Sequence, residues 1–112
     1  MNKNTKRLHE IHFPNHSDAY ILNDAEIDAQ NAWAYGTNAK AIADNSHAEG
    51  KNTFAQDEGS HVEGLGTQSS GDYSHVQGKY NQPVENHAFI IGGGSEDNPK
   101  NIYSMDWEGN SS

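Results

Sequence analysis

Three Ser-His pairs stand fourteen residues apart, at Ser46-His47, Ser60-His61 and Ser74-His75, and two residues after each histidine comes Glu49, Glu63 or Gln77. These residue types suit two chemistries. A serine beside a histidine is the nucleophile and base of acyl transfer. Histidines with carboxylates are the N/O donors that hold zinc, nickel or iron. The first is excluded by geometry if the segments are strands. Neighbouring residues in a strand point to opposite faces, so Ser46 cannot hydrogen-bond His47. Threefold repetition also argues for a structural role over a single catalytic centre, and no enzymatic activity is expected. For the second, copies of the chain around a shared axis would bring several His47, His61 or His75 rings to one level. The simpler reading is that each histidine bonds a glutamate of the same or an adjacent chain, because packed polar groups need partners in any case. No metal and no other cofactor is therefore expected. A further row at the same interval, Asp44, Glu58, Asp72 and then Asn86, reads as a solvated acidic edge rather than a cation site. Gly92-Gly93-Gly94, followed by Ser95-Glu96-Asp97-Asn98-Pro99, reads as an exit turn, and its acidic neighbours disfavour an anion.

The elements that must position these residues follow from the interval itself. Blocks ending at Gly36, Gly50, Gly64, Gly78 and Gly92 recur every fourteen residues. A short fixed period marks a solenoid whose repeats stack. Each repeat has two halves, Gly-x-x-small-x-small (Ala39/Ala41, Thr53/Ala55, Thr67/Ser69) and the Ser-His-Ala/Val-Glu/Gln-Gly segment. Both halves alternate with period two, as strands do. Fourteen residues accommodate two strands of about five residues and two tight turns, with coils about 4.8 Å apart. The expected class is all-β, a parallel roll of 14-residue coils.

Alternation sorts the faces. Ser46, Ala48 and Gly50 are expected to point one way and His47 and Glu49 the other, and likewise in the next two repeats. The small side is the expected interior, where Ala41, Ala55 and Ser69 meet Ala48, Val62 and Val76. The opposite side carries Trp33/Tyr35, His47/Glu49, His61/Glu63, His75/Gln77 and Phe89/Ile91. This ladder has apolar ends and a polar middle, in which histidines relieve the repulsion of stacked glutamates.

Composition bounds the rest. The 112 residues are 32% hydrophobic, contain no cysteine and carry a formal charge of −9. So polar a short chain cannot bury enough surface alone, and disulfides or thiolate metal sites cannot make up the deficit. Burying a few methyl groups per coil, at roughly 25 cal/mol per Å2, does not offset the ordering of fourteen residues at about 1–2 kcal/mol each. The ladder face must then be covered by further copies of the chain around a shared axis. The charge argues against nucleic acid or an anionic membrane as partner. No apolar run is long enough to span a bilayer, and the first residues lack the apolar region of a signal peptide.

Three regions are expected. Residues 1–30 form an N-terminal segment, with a short strand at Leu8–Phe13, surface histidines at His9 and His12, and a degenerate entry coil over Asn23–Ala29. A helix from Asp24 to Ala34 competes with that coil. Residues 31–92 form the roll. Residues 93–112 form a turn and a closing strand, Ile102–Trp107, whose Tyr103, Met105 and Trp107 share one face; Tyr103 and Trp107 are candidate sugar-binding aromatics.

The Ser-His-Ala-Glu-Gly blocks with Gly-x-x-Thr-x-Ala between them resemble the head repeats of YadA-type trimeric adhesins. They are more similar to the variant in tail-fibre and appendage proteins of phages and prophages of Gram-positive bacteria. There such coils are followed by His-Val-Gln-Gly-Lys-Tyr-Asn, here His75–Asn81, and a segment ending Asp-Trp-Asp-Gly-Asn, here Asp106–Asn110 with Glu108 in place of the aspartate. The resemblance covers roughly residues 31–110. It implies a left-handed parallel β-roll assembled as a parallel homotrimer, with the ladder on the trimer axis, in a virion structural protein of host attachment. Other virion proteins or a host cell-surface glycan are the implied partners, and the phage tail is the implied location. A bacterial cell-surface adhesin head is the alternative. Many such phage proteins continue into a self-cleaving chaperone domain, but no autoprotease activity is expected of these residues.

Overall fold

A computed structural model describes residues 26–27 and 29–112. The expected strand at Leu8–Phe13, His9, His12 and most of the entry coil lie outside the described residues. Nine strands follow in order among the described residues: β1 (Glu26–Ile27), β2 (Trp33–Thr37), β3 (Lys40–Ala41), β4 (His47–Lys51), β5 (Phe54–Ala55), β6 (His61–Leu65), β7 (His75–Lys79), β8 (His87–Gly93) and β9 (Asn101–Asp106). No helix occurs among the described residues. The segment Asp24–Ala34, a helix candidate by composition, contributes instead to β1 and β2.

The chain is a parallel β-solenoid with coils of about fourteen residues. One sheet stacks β2-β4-β6-β7-β8-β9, and a smaller one β1-β3-β5, extended by a bridge from Phe54 to Gln68. Register follows the repeat: Trp33 pairs with His47, His47 with His61, and His61 with His75. Glu26 pairs with Lys40 and Ile27 with Ala41, so the stack already includes β1. Among these nine strands only β9 runs antiparallel, against β8.

The two halves of a coil differ more than their alternation suggests. Strands β4, β6 and β7 are five residues long, whereas β3 and β5 are two and the next coil has a single bridge. Corners consume the difference. Asn31, Asn45, Gly59 and Tyr73 form one row of positive-φ residues, and Asn38, Asn52, Gly66 and Tyr80 a second row seven residues on. Asparagine and glycine tolerate this conformation well, tyrosine poorly. From Asn45 on, each corner N–H donates to the coil before it, as in Gly59 N to Asp44 O at 3.0 Å and Gly66 N to Lys51 O at 2.9 Å. The stacking is therefore hydrogen-bonded at the corners as well as in the sheets.

Where the small sheet runs out, side chains replace the missing backbone partners. Asn81 accepts from Gln68 N at 2.9 Å and donates to Gln68 O at 3.1 Å. Asn101 does the same for Gln82, both at 2.8 Å.

The core is a thin seam of Ala34, Ala39, Ala41, Ala48, Ala55, Val62, Val76 and Ile90, with Ser46, Ser60, Ser69 and Ser74 buried among them. Ala41, Ala48, Ala55, Val62, Ser69 and Val76 all lie inside. The phased glycines do not share that side as alternation suggests: Gly50 and Gly64 are exposed. Positive φ turns the backbone at these positions, from +130° at Gly36 to +100° at Gly78.

Thr53 is 1% exposed and its hydroxyl has no hydrogen-bond partner, while Thr67, one coil on, donates to Glu63 O at 2.9 Å. Thr53→Val keeps the shape and removes an unsatisfied group, which typically costs about 1–3 kcal/mol. The variant is expected to melt higher than the parent in a thermal scan, and a lower melting temperature would count against this assignment.

Candidate functional site

Serine and histidine of each pair lie on opposite sides of the large sheet. Ser46, Ser60 and Ser74 are buried and donate to the carbonyls of Ala43, Asp57 and Gly71 at 2.6, 2.6 and 2.7 Å. These bonds hold the corner that precedes each strand. The acidic edge has a related use: Asp44 Oδ1 accepts from Gln30 N, and Asp72 Oδ1 from Glu58 N, both at 3.1 Å. Each aspartate thus fastens the turn of the preceding coil.

The histidines face outward and form a column of rings. Trp33 lies 4.1 Å from His47 between ring centres, His47 stacks on His61 at 4.1 Å, and His61 on His75 at 4.5 Å. His75 meets Phe89 edge-on at 5.6 Å, and Phe89 meets Tyr103 at 6.0 Å. The interval is that of neighbouring strands, so a parallel in-register sheet stacks like on like. Tyr35 lies 5.7 Å from Trp33, and the Gln77↔Ile91 pair continues the neighbouring column.

The carboxylates of that second column interleave with the rings. His47 Nε2 and Glu49 Oε1 are 2.7 Å apart, a hydrogen bond. Glu49 also lies 3.8 Å from His61 Nε2, and Glu63 lies 3.2 Å from His61 Nε2 and 3.6 Å from His75 Nε2. The result is a zigzag, His47–Glu49–His61–Glu63–His75. Only the first pair has hydrogen-bond geometry; His61 Nε2 and His75 Nε2 are shielded from solvent without a hydrogen-bond partner. The side chains themselves are about one-third to two-fifths exposed (35% and 40%), so it is the nitrogen tips that are covered.

Burial lowers the His75 pKa below its ordinary 6.5, the neighbouring His61 lowers it further, and the opposing pull of Glu63 is the smaller effect. The folded chain thus resists a proton that the unfolded chain accepts near pH 6.5. The stability that this group contributes is full above that pH and is lost as pH falls through 6.5 and then through the depressed folded value. In chelator, the melting temperature is expected to fall below pH 6.5, with a shallower slope in His75→Phe. An equal slope in both proteins would refute this origin.

The two candidate sugar-binding aromatics have different surroundings. Tyr103 is half-buried at the foot of the ring column, while Trp107 lies past the end of β9 and is 52% exposed. The turn carrying Trp107 is tied by Asp106, whose carboxylate accepts from the backbone N–H groups of Glu108 and Asn110 at 2.9 Å each and from Asn110 Nδ2 at 3.1 Å. These bonds, those of Asn110 foremost, hold the Asp106 carboxyl below its usual range.

Two features escaped a reading by period and alternation alone: the positive-φ corner rows and the strand-replacing amides Asn81 and Asn101. The asparagines and glycines of the corners were visible as a pattern; tyrosine at Tyr73 and Tyr80 broke it. In both rows the tyrosine ring lies over the glycine of the preceding coil, since a Cβ on Gly59 or Gly66 would meet the ring of Tyr73 or Tyr80. Neither a family model, nor a curated protein, nor a solved structure matches this chain.

Proposed function

We propose that the chain is a structural module, a left-handed β-roll that joins two further copies as a parallel homotrimer. It serves as a rigid spacer or head in a phage or prophage tail fibre, appendage or spike of host attachment. The observation that supports this reading is the outer face of the large sheet. Its ladder is half-exposed, with apolar ends at Trp33/Tyr35 and Phe89/Ile91 and covered but unbonded nitrogens in between. The interior behind it holds alanines, two valines and one isoleucine. So thin a core favours covering the other face with like copies, and the ladder then lies on the shared axis. Stiffness comes from the coil-to-coil hydrogen bonds at strands and corners.

Light scattering on the purified protein tests this. The expected mass is three times the 12.3 kDa chain. A well-folded species at the single-chain mass would end the proposal. The same module on a bacterial cell surface is the alternative setting. A carbohydrate-recognising tip is favoured by one observation, the exposure of Trp107. Saturable glycan binding lost in Trp107→Ala, with the assembly mass unchanged, would select it.

A further inference from the structure

We propose that the ladder on β6 and β7 binds one divalent transition-metal ion of the zinc type per chain, through His61 Nε2, the Glu63 carboxylate and His75 Nε2. The three ligands come from one chain, so the site stands whether or not the chain trimerises.

Both nitrogens face the Glu63 carboxylate without hydrogen-bond geometry, and their distances to it are close to those between two ligands of one metal ion. Tetrahedral zinc with bonds of about 2.0–2.1 Å sets its ligand atoms about 3.3 Å apart. Glu63 Oε1 lies 3.2 Å from His61 Nε2 and 3.6 Å from His75 Nε2, and all three ligand atoms lie within 4.8 Å of one another. Both nitrogens are covered and lack a hydrogen-bond partner. Covered polar atoms in a folded protein are ordinarily satisfied, and an ion would satisfy two at once. Two imidazoles and a carboxylate are donors suited to zinc, and three protein ligands leave a fourth position open for water or another ligand.

A second triad, His47–Glu49–His61, also converges. There the 2.7 Å hydrogen bond between His47 and Glu49 is too short for two ligands of one ion and must open first. Both triads use His61, and a single Nε2 lone pair serves one ion. Binding is therefore one ion per chain, not two. Ligation tilts the His61 and His75 rings, stacked with 18° between planes, toward a common centre.

The test uses the full chain carrying His9→Gln, His12→Gln and His16→Gln, which removes the histidines nearest the N-terminus as competitors. Chelator-treated protein is titrated with zinc chloride at pH 7.5 by calorimetry, and the melting temperature is read with and without zinc. One ion per chain and a zinc-dependent rise in melting temperature are expected. His61→Phe keeps a ring in a column that already holds Trp33 and Phe89, and is expected to weaken binding by about tenfold or more. If circular dichroism shows that this variant does not fold, Glu63→Gln, of nearly the same shape, is read in its place and is expected to show the same loss. Parent-like binding in the folded variant, two ions per chain, or no binding once the three N-terminal histidines are replaced would overturn the proposal.

Discussion

Replacing Gly64 with alanine is expected to cost the roll about 2–5 kcal/mol, enough to unfold a chain with so small a core. Two effects combine. The residue has φ +111°, a conformation in which an L side chain is strained. An added Cβ would also land on the carbonyl oxygen of Gly78, one coil on. That oxygen is backbone and cannot swing aside as a side chain could. Gly36 and Gly50 stand in the same relation to the glycine of the following coil, which is why the row is unbroken there. Gly109→Ala is the control: its φ is +90°, but nothing lies within 4 Å of the added Cβ, so it bears strain without collision. Circular dichroism with thermal melting is expected to show lost sheet structure for Gly64→Ala and a modest shift for Gly109→Ala. Equal, small shifts in both would remove the collision from the account.

Ile90→Ala is expected to destabilise the fold by about 2–5 kcal/mol and Ile90→Val by about 0.5–1.5 kcal/mol. One row of the seam runs Ala34, Ala48, Val62, Val76, Ile90 by strand pairing, so its side chains grow toward the C-terminal end. Ile90 is the largest fully buried side chain among the described residues. It sits where the small sheet has already ended and where Ile90 pairs with Ser104 of the antiparallel β9. No facing strand remains to collapse into the space that truncation leaves. Denaturant unfolding of the two variants measures the costs. A loss under about 1 kcal/mol for Ile90→Ala would mean that the junction repacks around the smaller side chain.

What could be read directly from residues was what depends on interval and size. Fourteen-residue spacing and period-two alternation specify parallel, in-register coils, since only that register superposes Gly50 on Gly64 and His47 on His61. Alternation likewise separated the buried serines from the outward histidines. It failed at Gly50 and Gly64, because positive φ breaks the strict alternation on which the argument rests. It also overestimated the first strand of each coil, because β3 and β5 give way to corners at Asn38, Asn52 and Gly66 whose conformation no period announces.

The sequence by itself determined the stack: the pairing of like residues, the thin interior and the row of rings follow from a repeat that places identical groups one strand spacing apart. The tertiary structure alone decided what those rings do. Whether a histidine bonds its glutamate depends on tenths of an ångström and on bond angle, set by how each coil turns over the last. Those angles gave His47 a hydrogen bond to Glu49 and left the nitrogen tips of His61 and His75 facing Glu63 without one.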